Sequence, residues 1–155
     1  MYGFGPNYEK RALSGYRLTK SMELVGSGSF FINTTFSTAR PNGGALPEKE
    51  IIGIEEDGEY LVVLNIIPVM AAYRPGMKLE VVVGTETSNF TRTLRNHSTY
   101  NSLGVSDGSQ RTGGFCQAAG VVRAAEMETI RFNSKIWCYS SSVRLGVCWN
   151  VYRIY

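Results

Sequence analysis

Histidine is almost missing from this chain of 155 residues: His97 is the only one. A Ser/His/Asp triad or a Cys/His pair would therefore have to run through that single ring. It lies in Arg95-Asn96-His97-Ser98 beside a polar stretch, where a solvated loop histidine is the plain reading, and no catalytic residue is assigned. One imidazole also cannot supply the clustered ligands of a cupin-type metal site. Cysteine is scarce and odd in number. Cys116, Cys138 and Cys148 contain no C-x-x-C pair, so neither a zinc site nor a closed disulfide framework follows. They read as small residues in or near the core.

Charge is sparse as well. Asp, Glu, Lys and Arg make up 19% of the chain, below the usual quarter. The carboxylates that do cluster, Glu55-Glu56-Asp57 and Glu126 with Glu128, read as solvated turn charges rather than an acid/base pair. Asp107 is the only acid between Glu86 and Glu126, too few for the oxygen cage of calcium. Gly26-Ser27-Gly28 and Gly113-Gly114 are not followed by a phosphate-binding Lys-Ser/Thr. No cofactor and no metal are expected.

The net charge of +3 resides in residues 1–20, where Lys10, Arg11, Arg17 and Lys20 stand against Glu9 alone; the other 135 residues carry twelve bases and twelve acids. A balanced body argues against nucleic acid as a direct partner, because phosphate binding needs a concentrated basic face. No stretch approaches the eighteen apolar residues of a membrane span, and the opening MYGFGPNYEKRALSGYRL lacks the apolar centre of a signal peptide. Taken as the natural start, it argues against classical secretion. The sequons at Asn33, Asn89 and Asn96 are too slight an excess to place the chain in a secretory pathway.

What is present is glycine, 17 residues of it, with abundant Ser and Thr, a mixture suited to short strands and turns. One domain is expected over residues 21–155, preceded by an arm of residues 1–20. The arm interleaves Tyr2, Phe4, Tyr8 and Tyr16 with its cations and shows neither helical nor strand period. Such a segment orders only against something else. From residue 21 onward, Val-, Ile- and Thr-rich runs alternate with turn signals. Strands are expected at Ser29 to Ser37, Glu50 to Ile54, Glu59 to Ile67, Lys78 to Val83, Asn89 to Arg95 and Phe115 to Ala125.

Reversals are expected at Arg40-Pro41-Asn42-Gly43-Gly44, at the hairpin-type turn Asp57-Gly58 and at Arg74-Pro75-Gly76, with Pro68 closing its strand. Glu59 to Ile67 is apolar almost throughout, as for a strand covered on both sides. Residues 96–113 form a long Ser-, Gly- and Asn-rich loop. Val122 to Ile130 has the best helix composition but is too short to stand alone. Val143, Leu145, Val147, Trp149 and Val151 alternate with Arg144, Gly146, Cys148, Asn150 and Tyr152, which predicts a long strand with one strongly apolar face.

Three segments in order resemble the tumour necrosis factor and complement globular-head superfamily of trimeric jelly rolls. Gly58-Glu59-Tyr60 before a buried run is similar to that family's Gly-x-Tyr strand. Gly113 to Val122 with Glu126 to Trp137 resembles its late strand pair, and Val151-Tyr152-Arg153-Ile154-Tyr155 its aromatic-rich ending. The resemblance covers about two thirds of the chain. It implies an all-β, two-sheet antiparallel jelly-roll sandwich of ten strands that associates as a homotrimer, with Tyr60, Trp149 and Tyr152 as interface candidates and Tyr152 nearest the axis. No collagen-like Gly-x-y stalk or membrane anchor accompanies these segments.

The function expected from all this is non-enzymatic and structural: a trimeric subunit decorating or cementing a virus capsid, located in the virion and gripping the shell through Tyr2, Phe4, Tyr8, Lys10, Arg11, Tyr16, Arg17 and Lys20. The alternative is an extracellular ligand or recognition head that binds a receptor through loops such as 96–113.

Overall fold

The computed structural model describes residues 21–35, 40–70, 77–96, 111–112, 117–138 and 142–155. The arm, His97, Asp107 and Cys116 lie outside them. Nine strands occur among the described residues, rather than the ten expected: β1 (Met22–Thr35), β2 (Arg40–Gly53), β3 (Gly58–Met70), β4 (Met77–Gly84), β5 (Asn89–Asn96), β6 (Arg111–Thr112), β7 (Gln117–Ala124), β8 (Thr129–Cys138) and β9 (Ser142–Ile154). All pairings are antiparallel.

One sheet runs β1-β9-β3 with β7 and the short β6 on the far edge of β3; the other runs β2-β8-β4-β5. Successive long strands change sheet at every connection except β4 to β5, which is the wrapping of a jelly roll. The predicted all-β, two-sheet antiparallel jelly-roll sandwich is what the chain forms.

The core lies where alternate residues of the two sheets meet, and β7 is exposed and buried in strict alternation. The terminal strand behaves as its period of two predicts. Val143, Leu145, Val147 and Val151 are buried, and Trp149 packs against the cluster. Phe132 of β8 meets Phe30 of β1 edge-on, with 5.4 Å between ring centroids, a geometry aromatic rings prefer.

Several turn expectations give way to the sandwich wrapping. Gly43 has φ 93° but lies within β2, where the pairing with β8 shifts register between Arg40 and Gly44, so this segment bends a strand instead of reversing the chain. Asp57-Gly58 connects strands of opposite sheets and is no hairpin. Pro68 continues β3, opposite Leu145 of β9. Residues Val122 to Ile130 are no helix: they are the end of β7, a turn and the start of β8. Tertiary pairing has overridden a weak local propensity.

Candidate self-association surface

The turns 54–57, 85–88 and 125–128 gather at one end of the sandwich, together with the start of β1 and the end of β9. Backbone bonds tie this end together: Ile54 N–H donates to the Glu128 carbonyl, Met127 N–H to Ile54, and Tyr155 N–H to Ser21, each at 2.8 Å. The clustered carboxylates serve the same purpose. Asp57 Oδ1 accepts the Glu126 N–H at 2.7 Å and Glu128 Oε1 accepts the Ala125 N–H at 2.8 Å, satisfying backbone donors that the turns leave open.

Arg153 joins this end to the terminal strand. It donates to Glu56 Oε1 and, at 2.7 Å, to the Asp57 carbonyl. Partial burial opposes its charge, but Tyr155 and Glu56 outweigh that and hold the guanidinium above its ordinary pKa. A groove of about 290 Å³ opens beside it, lined by Glu23, Ile52, Glu55, Tyr60 and Tyr155 among others. Tyr155 donates to Glu23 at 2.5 Å, and this bond is the main reason its phenol is raised. Most of these polar groups answer one another, although Arg153 Nε is buried with no hydrogen-bond partner among the described residues.

Tyr60 is buried here at 3% exposure and donates to the Glu56 carbonyl at 2.5 Å. Burial raises its pKa above the ordinary 10.0 despite the opposing pull of Arg153. An unfolded phenol ionises near pH 10 and this one later, so its stabilising contribution is whole below about pH 10 and is lost as the pH rises past it. Tyr60→Phe should cost about 1 kcal/mol at neutral pH and shallow the alkaline fall in urea midpoint above about pH 10. An unchanged alkaline slope would contradict this account.

The more unusual surface is the outer face of the β1-β9-β3-β7 sheet. Residues paired directly across strands point to the same side. The registers therefore set out rows across this face: Met22, Ile154, Glu59 and Arg123; Leu24, Tyr152, Leu61 and Val121; Ser27, Asn150, Val63 and Ala119; Ser29, Cys148, Asn65 and Gln117; then Phe31, Gly146 and Ile67. Of the eight exposed large apolar residues among those described, five lie here: Met22, Leu24, Phe31, Ile67 and Val121. Arg144 covers the Phe31 ring at 4.2 Å, and Arg123 and Glu59 close the opposite end with an ion pair at 2.9 Å.

Four strands by ten residues make a face of about 15 by 30 Å. That area, about 450 Å², matches the largest apolar patch of an ordinary monomer, which is often a contact site, and is about half of what one partner buries in a standard interface. β3 is apolar on both sides because it serves the core with Val62, Leu64 and Ile66 and this face with Leu61, Val63 and Ile67.

The three aromatic candidates separate. Tyr152 sits on this outer face between Leu24 and Leu61. Tyr60 and Trp149 point the other way: Tyr60 is in the core, and Trp149 lies over Gly28, where a Cβ would come within 2.7 Å of its ring. Cys148 is exposed on the outer face while Cys138 is buried, so Cys148 departs from the expected core role. The arm candidates lie outside the described residues. Met22, Leu24, Phe31 and Val121 were not foreseen, and the doubly apolar β3 run was the signal that pointed to their face.

Among the described residues, no group of three or more His, Cys, Asp or Glu is placed to hold a metal ion, and no helix is long and apolar enough to cross a membrane.

No protein-family model matches the chain, and no curated protein matches it. Solved structures similar to it include Eiger TNF from S. frugiperda, at 8% identity over 81% of this chain and 92% of that one with a TM-score of 0.37. Murine APRIL at pH 5.0 is 11% identical over 78% and 98% with a TM-score of 0.36. The globular domain of zebrafish complement 1qA protein is 10% identical over 79% and 94% with a TM-score of 0.33.

Proposed function

We propose that this protein is a non-enzymatic structural subunit that associates with two copies of itself through the outer face of the β1-β9-β3-β7 sheet and attaches to a larger protein assembly, such as a virus capsid shell, through residues 1–20. The observation that carries the reading is the apolar outer face, with Leu24, Tyr152, Leu61 and Val121 in one row across four strands. Covering it removes exposed apolar area from water, at about 25 cal/mol per Å². Three-fold rather than two-fold packing follows the resemblance, with Tyr152 nearest the axis.

The arm begins where Ser21 bonds to Tyr155, at one end of the sheet and clear of the middle of the apolar face. That end of the sheet supports a reading in which the arm engages a partner while the subunits stay associated. Its aromatics and cations suit a protein surface offering apolar pockets and carboxylates.

Solution mass tests the association: three times the 17.1 kDa subunit is expected at micromolar concentration, and a monomer would refute it. Removing residues 1–20 should leave three subunits per particle, each lighter by the deleted segment, while abolishing attachment to the larger assembly. Attachment surviving the deletion would favour instead a recognition head acting through its loops.

A further inference from the structure

We infer that the outer face of the β2-β8-β4-β5 sheet is a second, electrostatic contact surface whose occupant is the same face of another copy, with the strands of the two copies antiparallel. This face is unlike the apolar one. Its charges are sorted along the strands, acids toward the 85–88 turn and bases toward the opposite end.

At the acidic end the registers place Glu50, Arg131, Gly84 and Asn89 in one row. Glu48 and Glu50 both hold Arg131, at 2.9 and 3.2 Å, leaving one carboxylate in excess. Glu86 stands exposed in the adjoining turn, and a shallow groove of about 680 Å³ runs past Glu48, Val82, Glu86 and Asn133. At the basic end Lys78 pairs across with Trp137 and Arg95. The Lys78 ammonium lies 3.9 Å from the centre of the Trp137 ring, and that of Lys135 lies 5.1 Å away. Among the described residues, none of these three cations has a carboxylate within ion-pair distance; Glu80, on the row of Lys135, is the one acid nearby.

Charge complementarity selects the occupant. The rows of Gly84 and Lys78 are six residues apart on β4, about 20 Å. Turning one copy end for end about a two-fold axis lying between the faces lays the Lys78, Lys135 and Arg95 end of each against the Glu48, Glu50 and Glu86 end of the other. The pattern is self-complementary, as a two-fold contact requires. Parallel stacking would set like charges together. Trp137, half-buried against Gly43 between the two lysines, adds apolar surface to the basic end.

The contact is independent of the apolar face, because it uses the opposite sheet. If three subunits meet through the apolar face, their three polar faces point outward and each can join a different assembly, linking threefold units into a net. Exposed pairs are individually weak, so the contact is salt-sensitive and gains from repetition.

The test is sedimentation of the full chain at low and moderate salt. At 20 mM salt we expect species heavier than the basic unit, with association about tenfold weaker at 300 mM, where the screening length is shorter than the span of the charge pattern. Lys78→Glu with Lys135→Glu should abolish the heavier species, as should Glu50→Lys with Glu86→Lys. An equimolar mixture of the two variants should restore them, which misfolded protein could not do. Absence of a salt-sensitive species in the wild type, or a mixture that fails to recover it, would overturn the inference. In chains made monomeric by changes on the apolar face, association should stop at a dimer; a continuing series of larger species would overturn the two-fold geometry, while leaving the apolar contact untouched.

Discussion

Leu61→Asp combined with Tyr152→Asp should turn the assembly into single folded subunits. The two residues pair across β3 and β9 on the apolar outer face, and both are partly exposed in the isolated chain. A carboxylate there keeps water in the monomer but is stripped of it on association, with Leu24 and Val121 beside it and no cation in its row. An uncompensated buried charge costs about 3 to 5 kcal/mol, so each contact should weaken by at least about two orders of magnitude. Monomer stability should move by only about 1 kcal/mol, since the core side of both strands is untouched. Sedimentation would read the mass and far-UV circular dichroism the fold. Thr93→Asp, on the polar sheet, should leave this mass unchanged in moderate salt. A double variant that retains the wild-type mass would remove the apolar face from the assembly.

How far the fold could be read from sequence is clearest at β9 and β3. In β9 the alternation of Val143, Leu145, Val147 and Val151 with polar residues assigned both the strand and its buried side, and those four are in the core. Trp149 belongs to the same side by the same period, so its place in the sandwich was already implied by the pattern; assigning it to an interface followed the resemblance instead. Tyr60 shares the parity of Val62, Leu64 and Ile66 and is buried with them. The long apolar run of β3 announced cover on both sides, but on the rest of the outer face Met22, Leu24 and Phe31 depend on pairing across more than a hundred residues, and Val121 on pairing with Leu61 across 60. Local pattern carries no register of that kind. Turn chemistry misled for a related reason: Asn42-Gly43 and Asp57-Gly58 mark places where the chain bends, and only the sheet order decides whether the bend is a strand irregularity, a hairpin or a crossing between sheets.

Gly84→Ala is expected to be among the most destabilising single-methyl changes in the chain, while Gly53→Ala should be harmless. Gly84 ends β4 with φ 150°, in a region closed to other residues, and an added Cβ would lie 2.3 Å from the Ser88 carbonyl oxygen and 2.5 Å from Asn89 Cα. Both neighbours are backbone and neither can step aside. The same oxygen accepts the Thr85 N–H at 2.8 Å, and the buried Thr85 hydroxyl accepts the Ser88 N–H at 3.1 Å. Moving residue 88 to admit a methyl group therefore breaks the turn from which β5 starts. Backbone strain of this kind costs about 1 to 3 kcal/mol, and one lost turn bond adds about 1, so the melting temperature should fall by roughly 5 to 15 °C at about 2 to 4 °C per kcal/mol for a domain of this size. Gly53, by contrast, has nothing within 4 Å of the position a Cβ would take. There the methyl group only restricts the unfolded chain, which stabilises by about 0.4 to 1 kcal/mol. Thermal unfolding of the two variants side by side separates crowding at one turn from any general intolerance of the β4 and β2 ends, and equal melting temperatures would refute the role given to Gly84.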